Sequence, residues 1–169
     1  GEHVGAVAGD IDGGTVQFAT IKDCDMTAEF YGSGTNLNAY GGMISGKVNN
    51  GTLQEIKVEG GLVKTAEIPT STTPVSHLGG FAGAMSGTIN GTSSSSASIA
   101  ITTGGFVGGI IGECTGETNI DNTTSTGSIS SNLATSQIGK PLAIGGFAGE
   151  YRGRLTNSTR NGSSISVNA

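Results

Sequence analysis

One short glycine-centred pattern returns five times along this chain, and a unit repeated in a fixed register folds by stacking like segment on like segment. The copies are Val4-Gly5-Ala6-Val7-Ala8-Gly9, Tyr40-Gly41-Gly42-Met43-Ile44, Leu78-Gly79-Gly80-Phe81-Ala82-Gly83, Val107-Gly108-Gly109-Ile110-Ile111-Gly112 and Ile144-Gly145-Gly146-Phe147-Ala148-Gly149. Their first glycines lie 36, 38, 29 and 37 residues apart. In the last three copies a middle glycine (Gly83, Gly112, Gly149) and a third one (Gly87, Gly116, Gly153) follow at four-residue steps. The second copy departs from this, with Ser45 at the middle position.

Two further apolar markers recur downstream of each copy. Val16, Leu53, Ile89, Ile120 and Leu155 form the first set; Met26/Ala28, Leu62/Val63, Ile99/Ile101, Ile129 and Ile165/Val167 form the second. Three short segments per repeat, each too short to bury anything alone, predict an all-β parallel β-solenoid of about five coils with three short strands per coil. The coils run approximately over 4–39, 40–77, 78–106, 107–143 and 144–169, a single domain over 1–169. A helical fold is excluded, since each of the 31 glycines costs about 1 kcal/mol against alanine in a helix interior.

The third coil closes in 29 residues while the others carry seven to nine more, placed after the third segment: Glu29 to Ala39, Glu67 to His77 and Ser131 to Ala143. These stretches hold Pro69, Pro74 and Pro141, which cannot donate to an interior ladder. They predict corner loops aligned in a row, and such a row is the expected ligand-facing edge.

Composition agrees with a turn-rich β protein: Gly, Thr, Ser and Asn supply 82 residues, charged residues only 12%, and tryptophan is absent, so the core is thin and aliphatic. A net charge of -5 with only 8 Lys+Arg and no basic stripe argues against nucleic-acid binding. No apolar run approaches the roughly 20 residues that cross a bilayer. No basic start followed by an apolar stretch marks a leader, so the chain reads as a mature or excised piece.

A Gly-Gly-aliphatic-aliphatic-Gly core, then a Gly-x-Ile/Leu step and a Ser/Gly-x-Ile-x-Val strand, resembles the GLUG-motif repeats of large bacterial surface adhesins and immunoglobulin-A-specific metallopeptidases. The closest stretches are Gly79-Gly80-Phe81-Ala82-Gly83 with Ile89 and Ile99, and Gly145-Gly146-Phe147-Ala148-Gly149 with Leu155 and Ile165. The resemblance implies an extracellular, surface-anchored context, a role in adhesion or spacing, and no active-site residues.

Residues that could carry chemistry are few. His3 and His77 occupy equivalent positions two coils apart, too far to share a metal, and read as exposed turn histidines. Asp10-Ile11-Asp12-Gly13-Gly14 starts like a calcium loop, with Asp23 and Asp25 nearby, but Ile21 stands where the closing carboxylate belongs; Asp-Gly turn chemistry accounts for the same residues. Glu113 and Glu150 share a register position, so they stack about 5 Å apart, with Glu117, Arg152 and Arg154 near them. Paired carboxylates are the machinery of β-helical polysaccharide-degrading enzymes; a surface pair neutralised by arginine is the plainer reading. Cys24 and Cys114 sit three coils apart and are not expected to bridge. Asn50, Asn90, Asn122, Asn157 and Asn161 begin Asn-x-Ser/Thr triplets that arise from composition.

The sequence therefore predicts a non-catalytic module, without catalytic residues, metal ligands or cofactor, at the cell surface or secreted. It would adhere to an extracellular protein or glycan, at residues the sequence does not identify, or act as a rigid scaffold. A β-helix carbohydrate-active enzyme or its substrate-binding domain is the alternative. Neither a nucleic-acid partner nor a membrane span is expected; flanking domains or end-to-end self-association are.

Overall fold

A computed structural model describes residues 3–33, 36–66, 73–133, 137, 140–162 and 164–168. Over these the chain is a parallel β-solenoid with no α-helix. The first pass runs β1 (His3–Val4), β2 (Ala8–Asp12), β3 (Thr15–Gln17), β4 (Thr20–Lys22) and β5 (Asp25–Ala28), and β6 (Tyr31–Ser33) follows it. The second is β7 (Asn36–Gly42), β8 (Ser45–Gln54), β9 (Lys57–Glu59) and β10 (Leu62–Thr65); the third is β11 (Thr73–Gly79), β12 (Ala82–Asn90), β13 (Ser93–Ser95) and β14 (Ser98–Ile101). The fourth is β15 (Gly104–Gly108), β16 (Ile111–Asp121), β17 (Thr123–Ser125) and β18 (Ile129–Asn132). The fifth is β19 (Leu142–Gly145), β20 (Ala148–Glu150), β21 (Gly153–Thr156), β22 (Thr159–Arg160) and β23 (Ile165–Asn168).

Like strands stack into four sheets. Sheet A is β1-β7-β11-β15-β19; sheet B is β2-β8-β12-β16-β20, extended by β3 and β21; sheet C is β4-β9-β13-β17-β22; sheet D is β5-β10-β14-β18-β23. Five passes span about four turns, and each pass crosses four sheets where three strands were expected. The extra one is sheet C. Its inward row is Ile21, Val58, Ser95, Ser125 and Arg160, so two small hydroxyls and a guanidinium replace the aliphatic marker and the alternation loses its contrast. Ser95 and Ser125 are buried all the same. Small residues are required there because the core is thin: a Cβ on Gly80 would collide with Ser95 Oγ, and one on Gly109 with Ser125 Oγ.

The glycine motif is a corner rather than a strand. In the second to fifth passes its first glycine ends the sheet A strand, and the sheet B strand starts three residues later. The register also corrects the second copy: Gly42, not Gly41, pairs with Gly79, and Gly41 takes the row of Val4 and Leu78. Equivalent glycines are therefore Gly5, Gly42, Gly79, Gly108 and Gly145, at 37, 37, 29 and 37 residues. The middle glycine of the second copy is Gly46, in the row of Gly9, Gly83, Gly112 and Gly149. That row brings sheets A and B to backbone contact, since a Cβ on Gly46 would lie 2.7 Å from His3 Cα. Thr118, not Gly116, pairs with Gly87 and Gly153.

Both downstream markers fall as expected. Val16, Leu53, Ile89, Ile120 and Leu155 form one inward row of sheet B, and Met26, Val63, Ile99, Ile129 and Ile165 one of sheet D. Leu53, Ile89 and Ile120 are fully buried, each contributing roughly 1.5–3 kcal/mol through removal from water. At the corner between sheets B and C, Phe18, Glu55, Asn122 and Asn157 hold φ of 56°, 52°, 51° and 46°. Asn is the non-glycine residue that best tolerates this region, which accounts for two of the Asn-x-Ser/Thr triplets.

The described ends of the inserted stretches meet at one corner, between sheets D and A. In the third pass Thr102 and Thr103 alone join β14 to β15. The expected loops are shorter than their ranges, however: 73–77 belong to β11, 36–39 to β7, and 131–132 to β18. Residues 34, 35, 67–72, 134–136, 138 and 139 of these ranges lie outside the described residues.

Candidate functional site

Three features of the surface could do chemistry. The first lies where sheets A and B meet. The sheet A row His3, Tyr40, His77 and Phe106 is in register, and its rings stack on one another. Centroids are 4.8 Å apart for His3–Tyr40, edge to face, then 4.4 Å and 5.3 Å for the near-parallel Tyr40–His77 and His77–Phe106 pairs. Beside it runs the sheet B row Asp10, Lys47, Ala84, Glu113 and Glu150.

His77 is therefore not an exposed turn residue; it lies inside β11 and is 5% exposed. Its Nδ1 lies 2.8 Å from a Glu113 carboxylate oxygen, without the orientation of a hydrogen bond. Burial, with Lys47 and His3 adding to it, pushes the imidazole down to about 4. Burial and then Glu150 push the Glu113 carboxyl up, against a smaller opposing effect of Lys47. Both shifts favour neutral partners, because an ion pair here would have to give up its hydration.

Glu113 and Glu150 pair in register as expected, but Glu113 is turned toward His77. At the first pass, Asp10 Oδ1 lies 2.5 Å from His3 Nδ1 and Asp12 is exposed. Asp25 Oδ1 accepts from the Leu62 amide at 3.0 Å. Among the described residues no three metal-ligating side chains come together. Cys24 and Cys114 are free thiols.

The second feature is the outer face of the latter half of sheet B. Residues on either side of the buried Leu53-Ile89-Ile120 row point outward, giving two parallel ranks: Thr15, Thr52, Thr88, Asn119, Arg154 and Gln17, Gln54, Asn90, Asp121, Thr156. Steps along a rank are about 4.8 Å. An open depression of about 470 Å³ lies over their last rungs, lined by Thr88, Asn119, Asp121, Arg154, Thr156 and Asn157. Asp121 Oδ1 accepts from Thr156 Oγ1 at 2.6 Å and Asn157 Nδ2 at 3.0 Å. These hydrogen bonds, and the charge of Arg154, hold the carboxyl below its ordinary range. A fixed carboxylate beside a guanidinium, among hydroxyls and amides, offers acceptors and donors at regular spacing.

The third feature is a notch of about 390 Å³ at the corner between sheets D and A, lined by Pro74, Val75, Gly104, Phe106, Lys140 and Pro141. It opens where the third pass carries no insertion, between the inserted stretches of the second and fourth.

Of the residues singled out in the sequence, the structure joins His77 to Glu113 and Glu113 to Glu150, and His3 to Asp10. It leaves Glu117, Arg152 and Asp12 outside these contacts. The Asp121-centred depression was missed, although a signal existed: its outward ranks are the immediate neighbours of the aligned Ile89, Ile120 and Leu155. Comparison with protein families, curated proteins and solved structures gives no match.

Proposed function

We propose that the chain is a non-catalytic repeat module of a surface or secreted protein that binds an extended glycan along the outer face of sheet B. The observation that carries this reading is the Asp121 depression. Its carboxylate is fixed by Thr156 and Asn157, it lies beside Arg154, and it continues along the axis into ranks of Thr, Asn and Gln. Sugar hydroxyls both donate and accept, so a flat array of carboxylate, amide and hydroxyl groups at strand spacing suits a polyhydroxylated chain lying along the solenoid. The resemblance to GLUG-motif repeats supports the same adhesive role, at the cell surface or in a secreted protein.

The enzymatic alternative rests on Glu113 and Glu150. It draws less support, because the Glu113 carboxylate is engaged by His77 rather than presented to a cleft. A glycan and extracellular-matrix array probed with the purified chain tests the proposal. Binding is expected, and D121A or R154A is expected to weaken it at least about tenfold, the loss of a charge-assisted hydrogen bond. Silence of the array, binding indifferent to both substitutions, or polysaccharide turnover abolished by E113Q would overturn it.

A further inference from the structure

Of the positions in the two outward ranks of sheet B, only Asp121 and Arg154 are charged. Through the first three passes the ranks hold Thr15, Gln17, Thr52, Gln54, Thr88 and Asn90. At the margins, exposed Glu117 and Arg152 precede the paired Thr118 and Gly153, and exposed Glu55 stands at the corner with sheet C. Carboxylates thus match or outnumber guanidiniums on and around this face, in a chain of net charge -5. A polyanion needs a run of cations to offset its own repulsion, and the ranks offer it Arg154 alone.

Asp121 and Arg154 are diagonal neighbours: Asp121 pairs with Thr156, and Asn119, two residues before it, pairs with Arg154. Thr156 Oγ1 and Asn157 Nδ2 both donate to Asp121 Oδ1. The carboxylate is therefore held as an acceptor, and a ligand engages it by donating. A sugar hydroxyl donates; a uronate carboxylate or a sulfate ester does not. Two vicinal hydroxyls satisfy both charges at once, one donating to Asp121 while its neighbour accepts from Arg154. An acidic group in the place of either hydroxyl loses on one side. Against Asp121 it meets like charge, and against Arg154 it still lies a diagonal step from that carboxylate.

We propose that this face selects neutral glycans, which rests on the glycan-binding reading above, and that Asp121 is the residue that turns acidic glycans away. Specificity then comes from a repulsive element set among attractive ones. The hydroxyls and amides of the ranks hold the sugar chain whatever its charge, and Arg154 would accept an anion. Asp121 decides between the two classes, because its place is fixed by Thr156 and Asn157 and it cannot swing aside to admit a second carboxylate.

Calorimetric titration of the full chain tests this, with neutral oligosaccharides of glucose and of mannose and with the same oligosaccharides oxidised or sulfated at the primary hydroxyl. The neutral forms are expected to bind, and the acidic forms at least about threefold more weakly, with the gap narrowing in high salt. D121N supplies the decisive arm, since it keeps the size of the side chain and an acceptor oxygen but removes the charge. It is expected to weaken the neutral forms about fivefold and to strengthen the acidic ones, opposite movements that a folding defect cannot produce. Acidic forms binding as tightly as neutral ones, or a gap that D121N leaves unchanged, would overturn the selectivity while the glycan reading stands. Binding of no oligosaccharide, neutral or acidic, would overturn that reading and the selectivity with it.

Discussion

His77 concentrates more physical conflict than any other residue in the molecule. It is an ionisable ring stacked between Tyr40 and Phe106, almost sealed from water, with a carboxylate at 2.8 Å. Folded, it holds a proton only near pH 4; unfolded, it takes one near pH 6.5. The unfolded chain thus binds the proton first, and His77 withdraws stability as the pH falls from about 6.5 to 4. Glu113 acts in the opposite sense, since its raised carboxyl is relieved by the same fall, and it offsets part of the loss. Phenylalanine fits this row, as Phe106 shows, and removes only the imidazole. H77F is expected to shrink the loss of stability between pH 7 and pH 4.5, by an amount on the order of 2 kcal/mol. Urea unfolding of the two proteins at both pH values measures it; identical pH profiles would refute the assignment.

Among the elements, sheet C shows where sequence reading stops. Sheets B and D were legible because Leu53, Ile89 and Ile120, or Val63, Ile99 and Ile129, stand out as aliphatics at a constant offset. Sheet C begins as Ile21 and Val58 and then becomes Ser95, Ser125 and Arg160, so its inward row carries no apolar period to find. The serines are interior side chains: Arg160 Nη1 donates to Ser125 Oγ at 2.9 Å, and Gly109 leaves room for nothing larger. S125V is expected to cost about 2 kcal/mol, from overpacking against Gly109 and loss of the Arg160 partner; a stability equal to wild type by urea unfolding would show that the core there can expand. The same blindness explains the slip at Gly41-Gly42, where two adjacent glycines offered two registers and only the Tyr40–His77 stacking row and the Leu78 contact with Gly41 decide between them. The His77–Glu113 contact was illegible for another reason. It joins residues 36 positions apart on different sheets, through an approach of sheets A and B that only the glycine row permits.

At the scale of the whole molecule, stability in such a stack is a sum of passes and the interfaces between neighbouring passes. The unequal corner described above gives that sum a mechanical signature. Inter-strand hydrogen bonds run along the solenoid axis, so tension applied between the two termini opens passes one at a time instead of shearing the whole barrel of sheets. Each released pass lengthens the tether by its own contour, at about 3.5 Å per residue. Passes repeating at 37 residues should each yield about 130 Å, and the one that closes in 29 only about 100 Å. A force-extension trace should therefore show equal steps interrupted by a single short one, a mark of the missing insertion that identifies which part of the chain has given way.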